Sequence, residues 1–133
     1  MKKVFVLFCL GLTFLYADFR AVNEVKLKEA IQKGVVVIDI RRADEWKRFG
    51  MIEGSRQLTF FDKFGKYDTT SWLEGFTKLV KNKNQPFVLV CAHANRTKAV
   101  GKMLDTQLGY KHVYELEGGI MYGWIDKGQK VIH

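Results

Sequence analysis

The chain has 133 residues, 47% of them hydrophobic, and a formal net charge of +8 from 22 basic and 14 acidic side chains. That length holds one domain with a core of its own, and not two. The basic residues are scattered, with no run of about five to eight and no interleaved aromatics, which argues against a nucleic-acid partner and leaves a solvated basic surface suited to small anions.

Residues 1–17 read as a cleavable export signal. Lys2 and Lys3 form a positive start, Val4 to Leu15 an apolar stretch, and Ala17 a small residue before a cut. The apolar stretch is shorter than the roughly 20 residues a membrane-spanning helix needs, and no later stretch offers a span. The mature form, residues 18–133, is therefore expected to be periplasmic or secreted, without a membrane span. Of the two cysteines, Cys9 leaves with the signal, so the domain keeps Cys91 and has no internal disulfide. That thiol is either buried and inert or kept for use.

In the domain, helical and strand patterns alternate. Asn23 is placed to cap a helix from Glu24 to Lys33 that Gly34 stops. Val35 to Ile38 follows as an unbroken apolar strand, the pattern of strands covered on both faces. Ala43 to Phe49 reads as a short helix ended by Gly50, and Arg56 to Thr59 as a short strand. The aromatic stretch 60–69 has no period and reads as loop. Thr70 or Ser71 opens a helix through Lys81, Phe87 to Val90 is a second unbroken strand, Thr97 to Leu108 a long helix closed by Gly109, and His112 to Leu116 a last strand. Without repeat, low-complexity tract or linker, this is one α/β domain with a mainly parallel sheet between helices.

The six residues Cys91, Ala92, His93, Ala94, Asn95 and Arg96 sit between the second apolar strand and the helix that opens with Thr97. A turn there aims backbone N–H groups and a helix N-terminus at whatever it encloses, an environment that favours a thiolate over a thiol. Arg96, a cation in a helix's first turn, opposes the helix dipole and so implies a bound anion or a buried carboxylate. His93 is open between a loop residue, an influence on the thiolate and a ligand, but two such groups make no zinc site, so no metal is expected. Asp39 and Arg41 follow the first apolar strand, at the edge where an open parallel sheet forms its crevice. They either pair to hold loops or face a substrate. Gly118-Gly119 reads as a tight strand-to-helix turn.

In order and spacing, Val36-Val37-Ile38-Asp39-Ile40-Arg41, Glu45-Trp46, Gly50 to Ser55, the Cys91–Arg96 loop, and Leu116-Glu117-Gly118-Gly119 with Trp124 and Gly128 together resemble the single-domain rhodanese family. The resemblance implies that fold: a central, mainly parallel sheet flanked by helices on both faces. It implies a sulfurtransferase in which Cys91 takes sulfane sulfur from a small anionic donor such as thiosulfate, carries it as a persulfide and yields it to cyanide or a thiol, including a protein thiol. No cofactor is implied. Cys91 is then the nucleophile and Arg96 its catalytic partner. Ala92, His93, Ala94, Asn95, Thr97 and Arg41 contact the substrate, and Asp39 supports the site. Related phosphatases have one more residue between cysteine and arginine, whereas this loop has the four of the sulfur-handling version. The alternative is a non-catalytic rhodanese-like interaction or sulfur-sensing module.

Overall fold

The computed structural model describes residues 19–133, so the export signal read at 1–17 lies outside the described residues. Its strands are β1 (Arg20–Val22), β2 (Val36–Asp39), β3 (Arg56–Gln57), β4 (Phe87–Val90) and β5 (Val113–Leu116). They form one five-stranded sheet in the order β1-β5-β4-β2-β3. Every pairing in it is parallel. The helices are α1 (Glu24–Gln32), α2 (Ala43–Phe49), α3 (Thr69–Leu79) and α4 (Arg96–Lys102), and a π-helical segment closes the chain at Met121–Ile125.

β4 lies mid-sheet and shows why unbroken apolar runs were needed. Phe87 and Leu89 join the core on one face with Ile38, Phe76, Val100 and Leu104. Val88 and Val90 join the other core with Leu27, Val37, Leu116 and Trp124. Successive strand residues point to opposite faces, so a strand with helices on both sides favours apolar residues at every position, and a polar one needs a buried partner. α3 and α4 cover the first face. α1 and the closing segment cover the second.

Element ends differ from the sequence expectations for local reasons. Asn23 does cap α1, accepting the Lys26 N–H at 3.0 Å. β2 starts and ends one residue later than the hydropathy suggests, so Asp39 is its last residue. α3 is capped by Asp68, whose carboxylate accepts the Ser71 N–H at 3.2 Å and outcompetes the hydroxyls of Thr70 and Ser71. Only Arg56 and Gln57 pair as a strand, although the Leu58 and Phe60 amides continue onto the Asp39 and Ile40 carbonyls at 2.9 and 3.2 Å. The helix expected to run to Leu108 widens into π turns at Met103–Gln107, where the Leu108 amide reaches the Met103 carbonyl at 3.1 Å. Among the described residues no helix is long and apolar enough to cross a membrane.

The C-terminal ends of β2, β4 and β5 open onto one edge, where the chain must turn sharply after β5. Gly118 and Gly119 make that turn with φ of +74° and +67°. A Cβ on Gly119 would lie 2.3 Å from the Ala92 carbonyl oxygen, so only glycine lets this turn touch the loop after β4. Gly109, with a similar φ of +75°, has open space around it. Gly119→Ala is therefore expected to cost clearly more than the roughly 1–2 kcal/mol of the left-handed conformation alone, and Gly109→Ala to cost only that. Urea unfolding of the two variants checks this, and equal losses would show that the contact with Ala92 constrains nothing.

Candidate active site

Cys91 leaves the end of β4 with its side chain in the core, at 1% exposure. The loop after it is fastened to the Gly118-Gly119 turn: the Ile120 amide donates to the Cys91 carbonyl at 2.9 Å and the Met121 amide to the Ala92 carbonyl at 3.1 Å. Ala94 takes a φ of +63°, a left-handed conformation unusual for a residue with a Cβ, and so closes the loop. His93 and Asn95 are exposed. The His93 ring lies 4.7 Å from that of Tyr122 on the closing segment. Asn95 lines a groove beside the loop with Arg42, Phe61, Lys63 and Arg96.

The Thr97 backbone N–H donates to the Cys91 Sγ at 3.4 Å, and the thiol donates to the Thr97 Oγ1 at 3.5 Å. Thr97, expected from the sequence to contact substrate, is thus placed against the sulfur of Cys91. Its side chain is buried beneath the sulfur and meets the sulfur itself. The Thr97 hydroxyl donates onward to the Glu115 Oε1 at 3.0 Å, and Lys98 Nζ donates to both Glu115 oxygens at 3.0 and 3.2 Å.

Arg96 does not hold out a free fork. Its two terminal nitrogens are each 2.7 Å from one oxygen of Glu45, a bidentate pair from the first turn of α4 to the first turn of α2. Burial alone would raise the Glu45 carboxyl, but the hydrogen bonds from Arg96 and from the Arg42 amide outweigh it and hold Glu45 below the usual carboxylate range. Arg96 is held protonated past the ordinary guanidinium range, chiefly by the same hydrogen bonds. The edge of its guanidinium not used by Glu45 is what remains for an anion.

The side chain of Arg41, which the sequence places among the substrate contacts, is wholly buried and donates to Asp39 at 2.7 Å and to the Gly50 carbonyl at 2.8 Å. The pair ties β2 to the end of α2. Asp39 thus supports the region from inside, 1% exposed. Among the described residues, no group of three or more His, Cys, Asp or Glu could hold a metal ion.

A family model described as Rhodanese-like domain matches residues 24–126, from α1 through the closing segment. The chain belongs to the rhodanese-like domain family. Its fold is the rhodanese fold. A rhodanese-related protein of Thermoplasma volcanium is 30% identical, with 86% of this chain and 98% of that one covered and a TM-score of 0.64. The polysulfide-sulfur transferase homodimer of Wolinella succinogenes is 22% identical over 98% of this chain and 90% of its own, with a TM-score of 0.65. A protein of unknown function from Rhodopseudomonas palustris, described as a possible tyrosine phosphatase, is 26% identical over 86% and 83%, with a TM-score of 0.58. No curated protein matches the chain.

Two carboxylates of this rhodanese-like site escaped the sequence reading as site residues. Glu45 is the partner that a first-turn arginine called for, but the sequence could not say which carboxylate on another element would reach it. Glu115 carries a signal of its own, an acidic residue inside an otherwise apolar buried strand, which is tolerated only where a partner waits.

Because Glu45 is held below its ordinary value, near 4.5, its contribution to stability is fully present above that value and is lost as pH falls through its lower, folded-state value. Unfolding curves in urea between neutral pH and about pH 3 should show the wild type losing part of its advantage over Glu45→Gln in that acid window. Parallel curves would mean that the Arg96–Glu45 pair adds no stability.

Proposed function

We propose that the protein is an exported sulfurtransferase working through a Cys91 persulfide. The observation that carries the reading is the placement of Cys91: it is the free cysteine of the described chain, set at a strand end with a backbone N–H on its sulfur and a guanidinium at the end of its loop. The N–H and the helix end favour negative charge on sulfur. Membership of the family supports sulfur handling as the chemistry. The leader read at 1–17 supports export to the periplasm or beyond.

In the proposed cycle the Cys91 thiolate attacks the terminal sulfur of thiosulfate. A new S–S bond forms, the bond from that sulfur to the sulfonate sulfur breaks, and sulfite leaves with its electron pair. Cyanide or a thiolate then attacks the outer sulfur of the persulfide. The S–S bond breaks, thiocyanate or a new persulfide leaves, and the Cys91 thiolate returns. Ala92, His93, Ala94 and Asn95 form the wall around the outer sulfur, and the free edge of Arg96 meets the donor's charge.

One observation favours a second reading, a binding or sulfur-sensing module. The sulfur is 1% exposed, so a donor reaches it only when the loop gives way. Intact-mass analysis separates the two readings. Thiosulfate should add about 32 Da on Cys91, and cyanide should remove it as thiocyanate. Cys91→Ser should gain no mass and keep its fold. Arg96→Ala should raise the thiosulfate concentration needed for half-maximal labelling by about tenfold, the scale of one charge-assisted contact. Reduced, folded protein that gains no sulfur from thiosulfate or from an organic persulfide would move the assignment to the module.

A further inference from the structure

The sulfurtransfer cycle gives no task to the buried acid nearest the sulfur by hydrogen bonds, Glu115. Glu115 lies on β5, 4% exposed, two hydrogen bonds from the reacting sulfur. The three groups form a chain with a fixed direction: the Cys91 thiol donates to the Thr97 Oγ1, and the Thr97 hydroxyl donates to the Glu115 carboxylate. A hydroxyl has one proton, so while Glu115 holds it, only oxygen lone pairs face the sulfur. That orientation suits a thiol and opposes a thiolate.

We propose that Glu115 is a positioning residue for Cys91: by holding the Thr97 hydroxyl proton it stabilises the resting thiol, and Lys98 lets it release that proton when the sulfur ionises. Lys98 Nζ donates to both Glu115 oxygens, and also to the Ala94 carbonyl at 3.2 Å in the active loop. The carboxylate therefore still has a cationic donor when the hydroxyl turns away. When Cys91 gives its proton to solvent, the Thr97 O–H rotates and donates to the thiolate, where it adds to the Thr97 N–H already there. The S–H bond breaks and its electron pair stays on sulfur, the Thr97 O–H bond only rotates, and no other covalent bond changes. The only proton released is the thiol's.

Other charges face the same sulfur. Arg96 ends the loop, attracted to Cys91 as well as to Asp39 of β2 and Glu45 of α2. His93 lies in the loop against Tyr122 of the closing segment, and Arg41 is bound to Asp39. Unlike these, Glu115 is linked to the sulfur by hydrogen bonds through a hydroxyl, so its effect is separable from the general field by removing that hydroxyl.

The inference rests on Cys91 being the reacting sulfur, but its test needs no sulfur donor. Thiolate absorbance near 240 nm is followed against pH in the full-length chain, with Cys91→Ser subtracted so that Cys9 and the tyrosines cancel. Glu115→Gln removes the charge and offers an amide N–H to the Thr97 oxygen, freeing the hydroxyl for the sulfur. Its midpoint should fall by about one pH unit, a tenfold gain in thiolate below it, and Lys98→Met should raise the midpoint. Thr97→Ser should keep the wild-type midpoint. In a Thr97→Val background, Glu115→Gln should shift it by less than about half as much. An unchanged or higher midpoint in Glu115→Gln overturns the proposal, as does an equal shift in the Thr97→Val background. Should Glu115→Gln fail to fold, Lys98→Met at its half-exposed position decides alone, and an unmoved or lowered midpoint counts against the idea. A shifted midpoint in a protein that takes no sulfur from thiosulfate would leave this coupling standing while the sulfurtransferase reading fell.

Discussion

The loop after β4 is held by its carbonyls, and everything at the site depends on that. The Cys91 and Ala92 carbonyls accept the amides of Ile120 and Met121, which spends the acceptor side of the loop on the neighbouring segment. Buried carbonyls must find partners, and here the partner is the start of the closing segment, brought within reach by two left-handed glycines. With the carbonyls turned to that side, the N–H of Thr97 is left for the sulfur. The fold thus sets the electrostatic sign of the loop's interior before any side chain contributes.

The cations around the loop are largely neutralised. Arg41 is committed to Asp39, Arg96 to Glu45, and Lys98 to Glu115. These pairs do different work. The Arg41–Asp39 pair is wholly buried, and removing one partner from such a pair typically costs about 3–5 kcal/mol because the other is left as an uncompensated charge. It fastens β2 to Gly50 and holds the floor of the region rigid. The Arg96–Glu45 pair spans two helix starts and fixes the guanidinium at the end of the loop. Lys98–Glu115 touches the sulfur only through Thr97. An anion arriving at the site therefore meets partial charges and the unspent edge of one guanidinium.

How much of this could be read from the residues depends on how local the cause is. Val88 and Val90 alternate with Phe87 and Leu89 into two cores, and an unbroken apolar run already says that both faces are covered. Gly50 ending α2 and Asn23 capping α1 are likewise decided within a turn of the chain. The cap of α3 is ambiguous in sequence because four capping residues, Asp68, Thr69, Thr70 and Ser71, stand in a row, and the carboxylate is the stronger acceptor. The place of Arg41 on the sheet edge is visible in sequence, whereas the direction of its side chain is set by Asp39 and the Gly50 carbonyl. Glu45 and Glu115 stand 51 and 18 residues from the partners that give them meaning, and such pairings follow from strand order and helix placement. Residue types announced the chemistry. Packing decided which groups face the sulfur and which hold the groups that do.

The tightness of the loop bears on what it can accept. With four residues between Cys91 and Arg96, and Ala94 bent into a left-handed turn, Cys91 is almost wholly buried, and any approach to its sulfur requires the loop to move. An electrophile at the end of a slender group fits that approach. The outer sulfur of thiosulfate or of a persulfide is a terminal atom with no substituents on its far side, so a thiolate reaches it after a small displacement of the loop. Phosphorus in a phosphate ester is ringed by oxygens, each needing a donor as charge builds, and the attacking sulfur must come in opposite the leaving group. In thiosulfate the three oxygens sit on the sulfonate sulfur that leaves, so in the proposed cycle the attacked atom carries none. Under the proposed sulfurtransferase reading, the depth of Cys91 suits a terminal sulfur better than an oxygen-ringed phosphorus as the atom attacked.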